Sequence, residues 1–367
     1  MGSPIDDARE VRDQLKGWLL DCAYPLWATA GRDRAGFVEK LALDGRPVEA
    51  PRRFRVAARQ TYAFALARDV GWSGDWRGLV EHGLAAMERY RRPDGLYAIL
   101  ASADGELMDD TPAPYEQAFA MLALSAAQQV LGGDFETQAI RTREALKVRV
   151  GRPDGGFYDS AERKPPLLAN PHMHLFEAAQ AWTTLGEDDG WGGMADAIGR
   201  IAVSRMIEPA TGALCEQYDD DWRPLADADV EPGHQFEWGW LLLRSGARAE
   251  ALRLVDLAES HGVDAERGVA FNSLDAALKP RDLSARLWPQ TERLKAGVAA
   301  ALETGEDRYW TMAAEAGRGL QKYLATDVPG LWRDRMRPDG SFVDEPAPAS
   351  SFYHIVGAIL DLDRAFG

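Results

Sequence analysis

The segment EPGHQFEWGWLLL, residues 231–243, sets a proline at a helix start, places His234 and Glu237 three positions apart, and continues as an apolar run around most of a helix's circumference. A helix of that kind is covered by protein on two sides. Similar segments recur about every sixty residues, the period of a repeat array. They are VAARQTYAFALA (56–67), APYEQAFAMLAL (113–124), NPHMHLFEAAQAW (170–182), RLWPQTERLKAGVAA (286–300) and SSFYHIVGAIL (350–360). Each carries a polar or ionisable residue near its start: in chain order Arg59, Glu116, His174, His234, Glu292 and His354.

Between these segments lie amphipathic patterns of a different kind, at 7–29, 78–91, 135–149, 193–206, 247–261 and 306–325, where Arg, Glu and Asp interrupt the apolar stripe. They read as outer helices. The more apolar set, near 56–68, 115–131, 173–185, 234–245, 286–303 and 351–365, reads as inner helices. Six outer and six inner helices in alternation predict an all-α fold, an (α/α)6 barrel forming one catalytic domain over residues 1–367. The tetrapeptide RPDG recurs at 92–95, 152–155 and 337–340, and weaker versions lie at 208–219 and 264–275. Proline presets one turn residue, aspartate bonds the local backbone and glycine accepts a positive φ, so each predicts a tight turn in a short hairpin. Because the inner helices of a closed barrel run parallel, their polar starts converge at one mouth. A linear solenoid would strew them along a face.

The 367 residues carry a formal net charge of −16, which disfavours a nucleic-acid footprint or attraction to an anionic membrane. No apolar run approaches the roughly twenty residues of a membrane span, and the charged start MGSPIDDAREVRDQL lacks the core of a signal peptide. With two cysteines, Cys22 and Cys215, at no ligand spacing, the expectation is reduced thiols in a cytoplasmic protein.

Histidine is the unusual element of the polar series. His174 and His234 each precede a glutamate, Glu177 and Glu237, by three positions, so each pair shares a helix face. His354 is the only ionisable residue of its segment, and an imidazole suits general-base work near neutral pH. Arg59 is the one cation of its inner-helix segment; burial there demands an anionic or oxygen-rich partner, either Glu116 or a substrate oxyanion. Phe236, Trp238 and Trp240 offer stacking surfaces of the kind a sugar ring uses. Around Glu292, the cations Arg286, Arg293 and Lys295 read as a solvated face on a charged helix start, and His82 and His261 read as exposed on outer helices. His172, two residues before His174, points away from it on a helix, and although the H-x-x-E pairs resemble in reverse the E-x-x-H of di-iron bundles, no metal is expected. Dinucleotide, P-loop and nucleophile-elbow motifs are absent, which disfavours those chemistries.

In this order on this pattern, NPHMHLFEA, EPGHQFEWGWLL, RLWPQTERLKA and SSFYHIVGAI resemble the N-acylglucosamine 2-epimerase superfamily over nearly the whole chain. The resemblance implies proton transfer at the carbon next to a sugar's carbonyl, without metal or nicotinamide cofactor. It casts His354 and His234 as the acid–base pair, His174 as the aid to ring opening, and Arg59 as the group that stabilises a cis-enediolate. Glu237 and Glu292 would orient the histidines and bind hydroxyls, with Trp288, Glu177 and Trp238 completing a substrate-binding set. The WPQTE element favours an aldose–ketose isomerase of mannose type over a sugar 2-epimerase. A mannose-6-phosphate isomerase-like activity would use Arg286 or Arg293 for the phosphate. The implied partner is a monosaccharide or its phosphate, handled by a monomer or homodimer. The chain departs from the family's tandem tryptophans, with Leu287-Trp288 in their place. Readings from other classes are an α/α-barrel glycoside hydrolase or lyase, which would rely on two carboxylates, and a non-catalytic sugar-binding module.

Overall fold

The structure is a computed structural model that describes residues 2–367. The first outer helix is α1 (Pro4–Trp18), continued through a π-turn at Leu19–Ala23 into α2 (Tyr24–Thr29). The outer helices α4 (Trp76–Glu88), α6 (Glu136–Val150), α8 (Gly190–Ile201), α10 (Arg248–His261) and α12 (Asp307–Leu324) follow in turn. Between them run the inner helices α3 (Phe54–Val70), α5 (Pro114–Leu131), α7 (Ala169–Leu185), α9 (Pro232–Arg244), α11 (Trp288–Thr304) and α13 (Phe352–Arg364). Each inner helix packs on the next, and α13 packs on α3, so the inner ring is closed. The expected (α/α)6 barrel is the fold.

Local chemistry starts the inner helices where the site needs them. Pro114, Pro232 and Pro289 stand in the first turn, where a missing N–H costs nothing and a fixed φ favours helix entry. The RPDG turns form as read: the N–H groups of Gly95, Gly155 and Gly340 bond back three residues to Arg92, Arg152 and Arg337. Those glycines have φ of +92°, +92° and +82°, values that cost other residues strain. Short hairpins bracket the turns, with Arg91 opposite Tyr97, Gly151 opposite Phe157 and Met336 opposite Phe342. At the mouth the ring is closed a second time, because Ala347 and Pro348 pair antiparallel with Leu41 and Lys40.

The core lies between the two rings and is rich in aromatics. Trp182 of α7 stacks on Trp191 of α8 with ring centroids 5.5 Å apart, and Trp27 stacks on Trp332 at 4.5 Å. Close helix contact is made at Gly239, where a Cβ would meet Val255 Cγ2 at 2.6 Å. Among the described residues no helix is long and apolar enough to cross a membrane.

Four of the six repeats also carry a buried clamp. Gln117 bonds both the N–H and the carbonyl of Tyr97, Gln235 does the same to Leu214, and Gln290 to Ala270. In the α7 repeat His172 takes this post, accepting from the Phe157 N–H at 2.9 Å and donating through Nδ1 to the Leu168 carbonyl at 2.7 Å. Both ring nitrogens are used, and burial lowers its pKa to about 4. These side chains tie those hairpins to the inner helices that follow them.

Candidate active site

A cavity of about 160 Å³ opens at the mouth, lined by Arg59, Tyr115, Asn170, His174, Glu231, His234, Glu237, Arg286, Trp288 and His354. That is small beside the roughly 300–1,000 Å³ of drug-sized sites, and it suits a small polar ligand. A groove of about 570 Å³ on the flank, lined by residues of α7, α8 and α9 such as Phe176 and Leu242, is larger but contains no histidine or glutamate.

On one wall, the Nδ1 of His354 lies 2.8 Å from Glu292 Oε1, and Glu292 Oε2 accepts from the Lys295 ammonium at 2.6 Å. All three residues are buried. Burial holds His354 well below the ordinary imidazole pKa, and the nearby cations Arg59 and Lys295 push it the same way, so the ring is neutral at pH 7. With Nδ1 engaged by Glu292, Nε2 is the nitrogen left for the cavity.

On the opposite wall His234 has the reverse environment. Its Nδ1 is 2.9 Å from Glu216 Oε2 and 3.6 Å from Glu231 Oε2. Burial opposes its protonation, but the two carboxylates outweigh it and raise the pKa to about 10, so His234 is an imidazolium. Burial also pushes the Glu231 carboxyl up to about 7, against the pull of His234. The ring of Trp288 lies between the two histidines, with centroids 4.8 Å from His234 and 5.8 Å from His354. Gly233 makes that position accessible, because a Cβ there would meet the Trp288 ring at 2.5 Å.

Arg59 is the electrophilic corner. Its guanidinium donates to the Tyr115 hydroxyl at 2.5 Å and the Ser350 carbonyl at 3.2 Å, and lies 4.1 Å from the Phe119 ring centroid. It has no carboxylate partner. Glu116, the partner considered from sequence, is paired with Arg55 at 2.5 Å instead. A nearly buried cation with only neutral partners is arranged to receive negative charge from a ligand.

Glu237 is fully buried and lines the cavity, and neither carboxyl oxygen has a hydrogen-bond partner in the protein. Burial raises its pKa well above the ordinary carboxylate value, and Glu292 adds to that, so it stands as a neutral acid that can both donate and accept. His174 is neutral as well, with its pKa lowered to about 4 by burial against the pull of Glu177. Its Nδ1 is 3.3 Å from Glu177 Oε2, and that carboxylate also accepts from the Tyr353 hydroxyl at 2.6 Å.

The residues singled out from sequence therefore divide. Arg59, His174, His234, Glu237, Trp288 and His354 meet at the cavity, whereas Glu177 and Glu292 sit behind histidines and contact no cavity space. Trp238 is turned away, one helical turn deeper than His234 and buried against Phe176 with centroids 5.9 Å apart. The cations of the 286–295 segment are not one solvated face. Lys295 is buried among carboxylates, Arg293 is buried with Glu259 and Glu315, and Arg286 alone reaches the rim. Arg293 is thus removed as a phosphate ligand. His261 is exposed as expected, while His82 is half-buried with its ring edge-on to Phe37.

Tyr115, Asn170, Glu216 and Glu231 were missed as site residues. Glu231 opens the quoted segment itself, and Asn170 and Tyr115 lie within four residues of His174 and Glu116, so proximity was the available signal. Glu216 comes from a hairpin and carries none. Three donor sets lie close enough to hold a cation: His174/Glu177/Glu237, Glu216/Glu231/His234 and Glu237/Glu292/His354. In the third the Lys295 ammonium already lies against Glu292 and supplies a positive charge there.

The chain is similar to known proteins over nearly its whole length. Residues 36–358 match the N-acylglucosamine 2-epimerase (GlcNAc 2-epimerase) family. The chain is 43% identical to the mannose-6-phosphate isomerase of Rhizobium meliloti, over 95% of this chain and 96% of that protein. It is 28% identical to the D-mannose isomerase of Pseudomonas cannabina pv. alisalensis, over 80% and 81%. A crystal structure of a D-mannose isomerase superposes with a TM-score of 0.89 at 20% identity, covering 98% of each chain. The chain belongs to the N-acylglucosamine 2-epimerase family and is a sugar isomerase or epimerase.

Proposed function

We propose that the enzyme interconverts a mannose-type aldose and its ketose through a cis-enediolate, with His354 as base and His234 as acid. The observation that carries this reading is the opposed environment of the two histidines across one small cavity: His354 is held neutral by burial, with Arg59 and Lys295 pushing the same way, and His234 is held cationic by carboxylates against its burial. Titratable groups pushed apart in this way divide into acid and base.

Chemistry follows from the positions. With the open-chain aldose bound, His354 Nε2 takes the proton from C2, and the electron pair forms the C1–C2 double bond as the carbonyl electrons move to O1. An α-proton is too weakly acidic to leave unless that oxygen meets a cation or a proton donor. Arg59 supplies the cation and the His234 imidazolium the proton. His234 then recovers a proton from the O2 hydroxyl as C2 becomes the carbonyl, and His354 returns its proton to C1. Both histidines end as they began. Glu237, Asn170 and the Trp288 ring hold hydroxyls and the carbon chain, and His174 aids ring opening at the anomeric oxygen. With both cysteines unpaired, a reducing cytoplasmic setting suits the protein.

A second substrate reading has its own support. Arg286 is half-exposed on the cavity rim, with Asp334 at 3.6 Å as its carboxylate neighbour. That guanidinium is placed to take the phosphate of a mannose-type 6-phosphate.

Incubation in D2O with mannose, fructose, glucose, N-acetylglucosamine and mannose 6-phosphate, followed by NMR, tests both readings. The expected result is ketose with deuterium at C1. A C2-deuterated epimer would replace isomerisation by epimerisation, and a folded protein that exchanges no sugar proton would sink the proposal. If the phosphate ester is the better substrate, Arg286→Ala should raise its KM about tenfold or more and leave mannose unaffected.

A further inference from the structure

The buried carboxylates beneath the cavity need a counter-charge, and one residue supplies it. Glu177 and Glu292 are both nearly or fully buried, and Lys295 is the one buried lysine among the described residues. Its ammonium donates to Glu292 Oε2 at 2.6 Å and lies 3.7 Å from the centroid of the Trp240 ring. It does not line the cavity. Lysines are seldom buried unless paired, and burying this one without a task would be expensive.

The task lies in the proton position on His354. A neutral imidazole carries one N–H, and which nitrogen holds it is set by the bond the other makes. Facing a carboxylate, which only accepts, Nδ1 must hold the hydrogen, so Nε2 keeps its lone pair for the substrate. Facing a protonated carboxyl, which can donate, Nδ1 becomes the acceptor and the hydrogen moves to Nε2. A base with its hydrogen on that side cannot take a proton from C2. Burial raises the Glu292 pKa above the ordinary carboxylate value even with the lysine present, and the Lys295 ammonium is the largest influence pulling it back toward the ionised form.

We propose that Lys295 is a positioning residue: by keeping Glu292 a carboxylate it fixes the Nδ1–H tautomer of His354 and leaves Nε2 basic toward the substrate. The inference rests on His354 being the base of the proposed reaction. It goes beyond a Glu–His pair, because it makes a residue with no access to substrate decide whether the pair works.

The test is Lys295→Met, in which Glu292 can take up a proton in place of the lost ammonium, so the buried net charge is conserved. Lys295→Gln serves in its place should the methionine variant unfold by circular dichroism. In imidazole-15N-labelled protein without sugar, the wild type should show a bare Nε2 on His354 and the variant a protonated one. Turnover at pH 7 should fall by about 10²–10⁴-fold, the scale for a base held in the wrong tautomer, with KM changed by less than about threefold. The loss should shrink as pH rises and Glu292 re-ionises, a recovery that a merely structural lysine would not give. A variant that keeps the wild-type tautomer, or loses turnover equally at every pH, would overturn the assignment. Since the tautomer is read without sugar, an inactive wild type would count against the proposed reaction alone.

Discussion

The two histidine walls of the cavity use the same residue type to opposite ends. His354 is surrounded by positive groups, with Arg59 and Lys295 near and one carboxylate bonded behind it, and it stays neutral. His234 is surrounded by Glu216 and Glu231 from the loop side of the mouth, and it stays charged. Each imidazole has the same intrinsic pKa near 6.5, so the division of labour belongs to the neighbours. An active site can therefore be read from what stands behind each histidine.

The largest effect should come from removing the base. His354→Asn should lower turnover by at least about 10³-fold while the fold is kept, as C2-deuterium exchange and circular dichroism would report. His234→Asn should cost less, about 10²-fold, because Arg59 still stabilises O1. Equal losses would break the contrast between the walls. Arg59→Lys keeps the charge but not the fork that reaches Tyr115 and Ser350, and a loss of about 10- to 100-fold in kcat is expected.

A pH series sharpens the comparison further. The base is neutral down to well below pH 6.5, and the acid is charged until about pH 10. Thus kcat/KM should hold across neutral pH apart from any small step as Glu231 ionises near 7, with an acid limb well below 6.5 and an alkaline limb toward 10. Glu216→Gln removes the nearest carboxylate, which lowers the His234 pKa and moves that alkaline limb to lower pH. Stability should shift in the same sense. Because the folded pKa of His234 is raised above its unfolded value, its contribution is whole below about pH 6.5 and is lost as pH rises toward 10. Wild-type Tm should thus drop more between pH 7 and 10 than that of Glu216→Gln. A limb that stays in place after the substitution would remove the carboxylates as the cause.

What the sequence made legible follows the reach of its signals. The helical period and the RPDG turns act within a few residues, and they placed the inner helices to within about four residues at their starts and the hairpins at the mouth. The polar series marked the right end of each inner helix, and four of its six members line the cavity. Its failures have one cause: an inner helix is apolar nearly all round, so its inward face has no contrasting stripe to reveal it. Tyr115 rather than Glu116 meets the cavity, and Trp238 faces the core. Glu216 reaches His234 by the folding of its hairpin over the start of α9, and Lys295 reaches His354 through Glu292 by the packing of α11 on α13; no local pattern encodes either.

The smallest effect on chemistry should come one residue from the acid. Gln235 follows His234, but a helix turns about 100° per residue, so its side chain leaves the cavity and clamps both the N–H and the carbonyl of Leu214. Gln235→Ala would leave those two buried groups without partners, at a cost of about 1–3 kcal/mol in stability. Glu216, which holds His234 charged, lies two residues beyond Leu214 on the same hairpin. Loosening that hairpin reaches the acid wall only through Glu216. At temperatures well below the new Tm, kcat should fall less than about threefold, and any change in the pH profile should be confined to the alkaline limb. A large loss of kcat with the limb in place would mean that the clamp and the acid are not separate devices on adjacent residues.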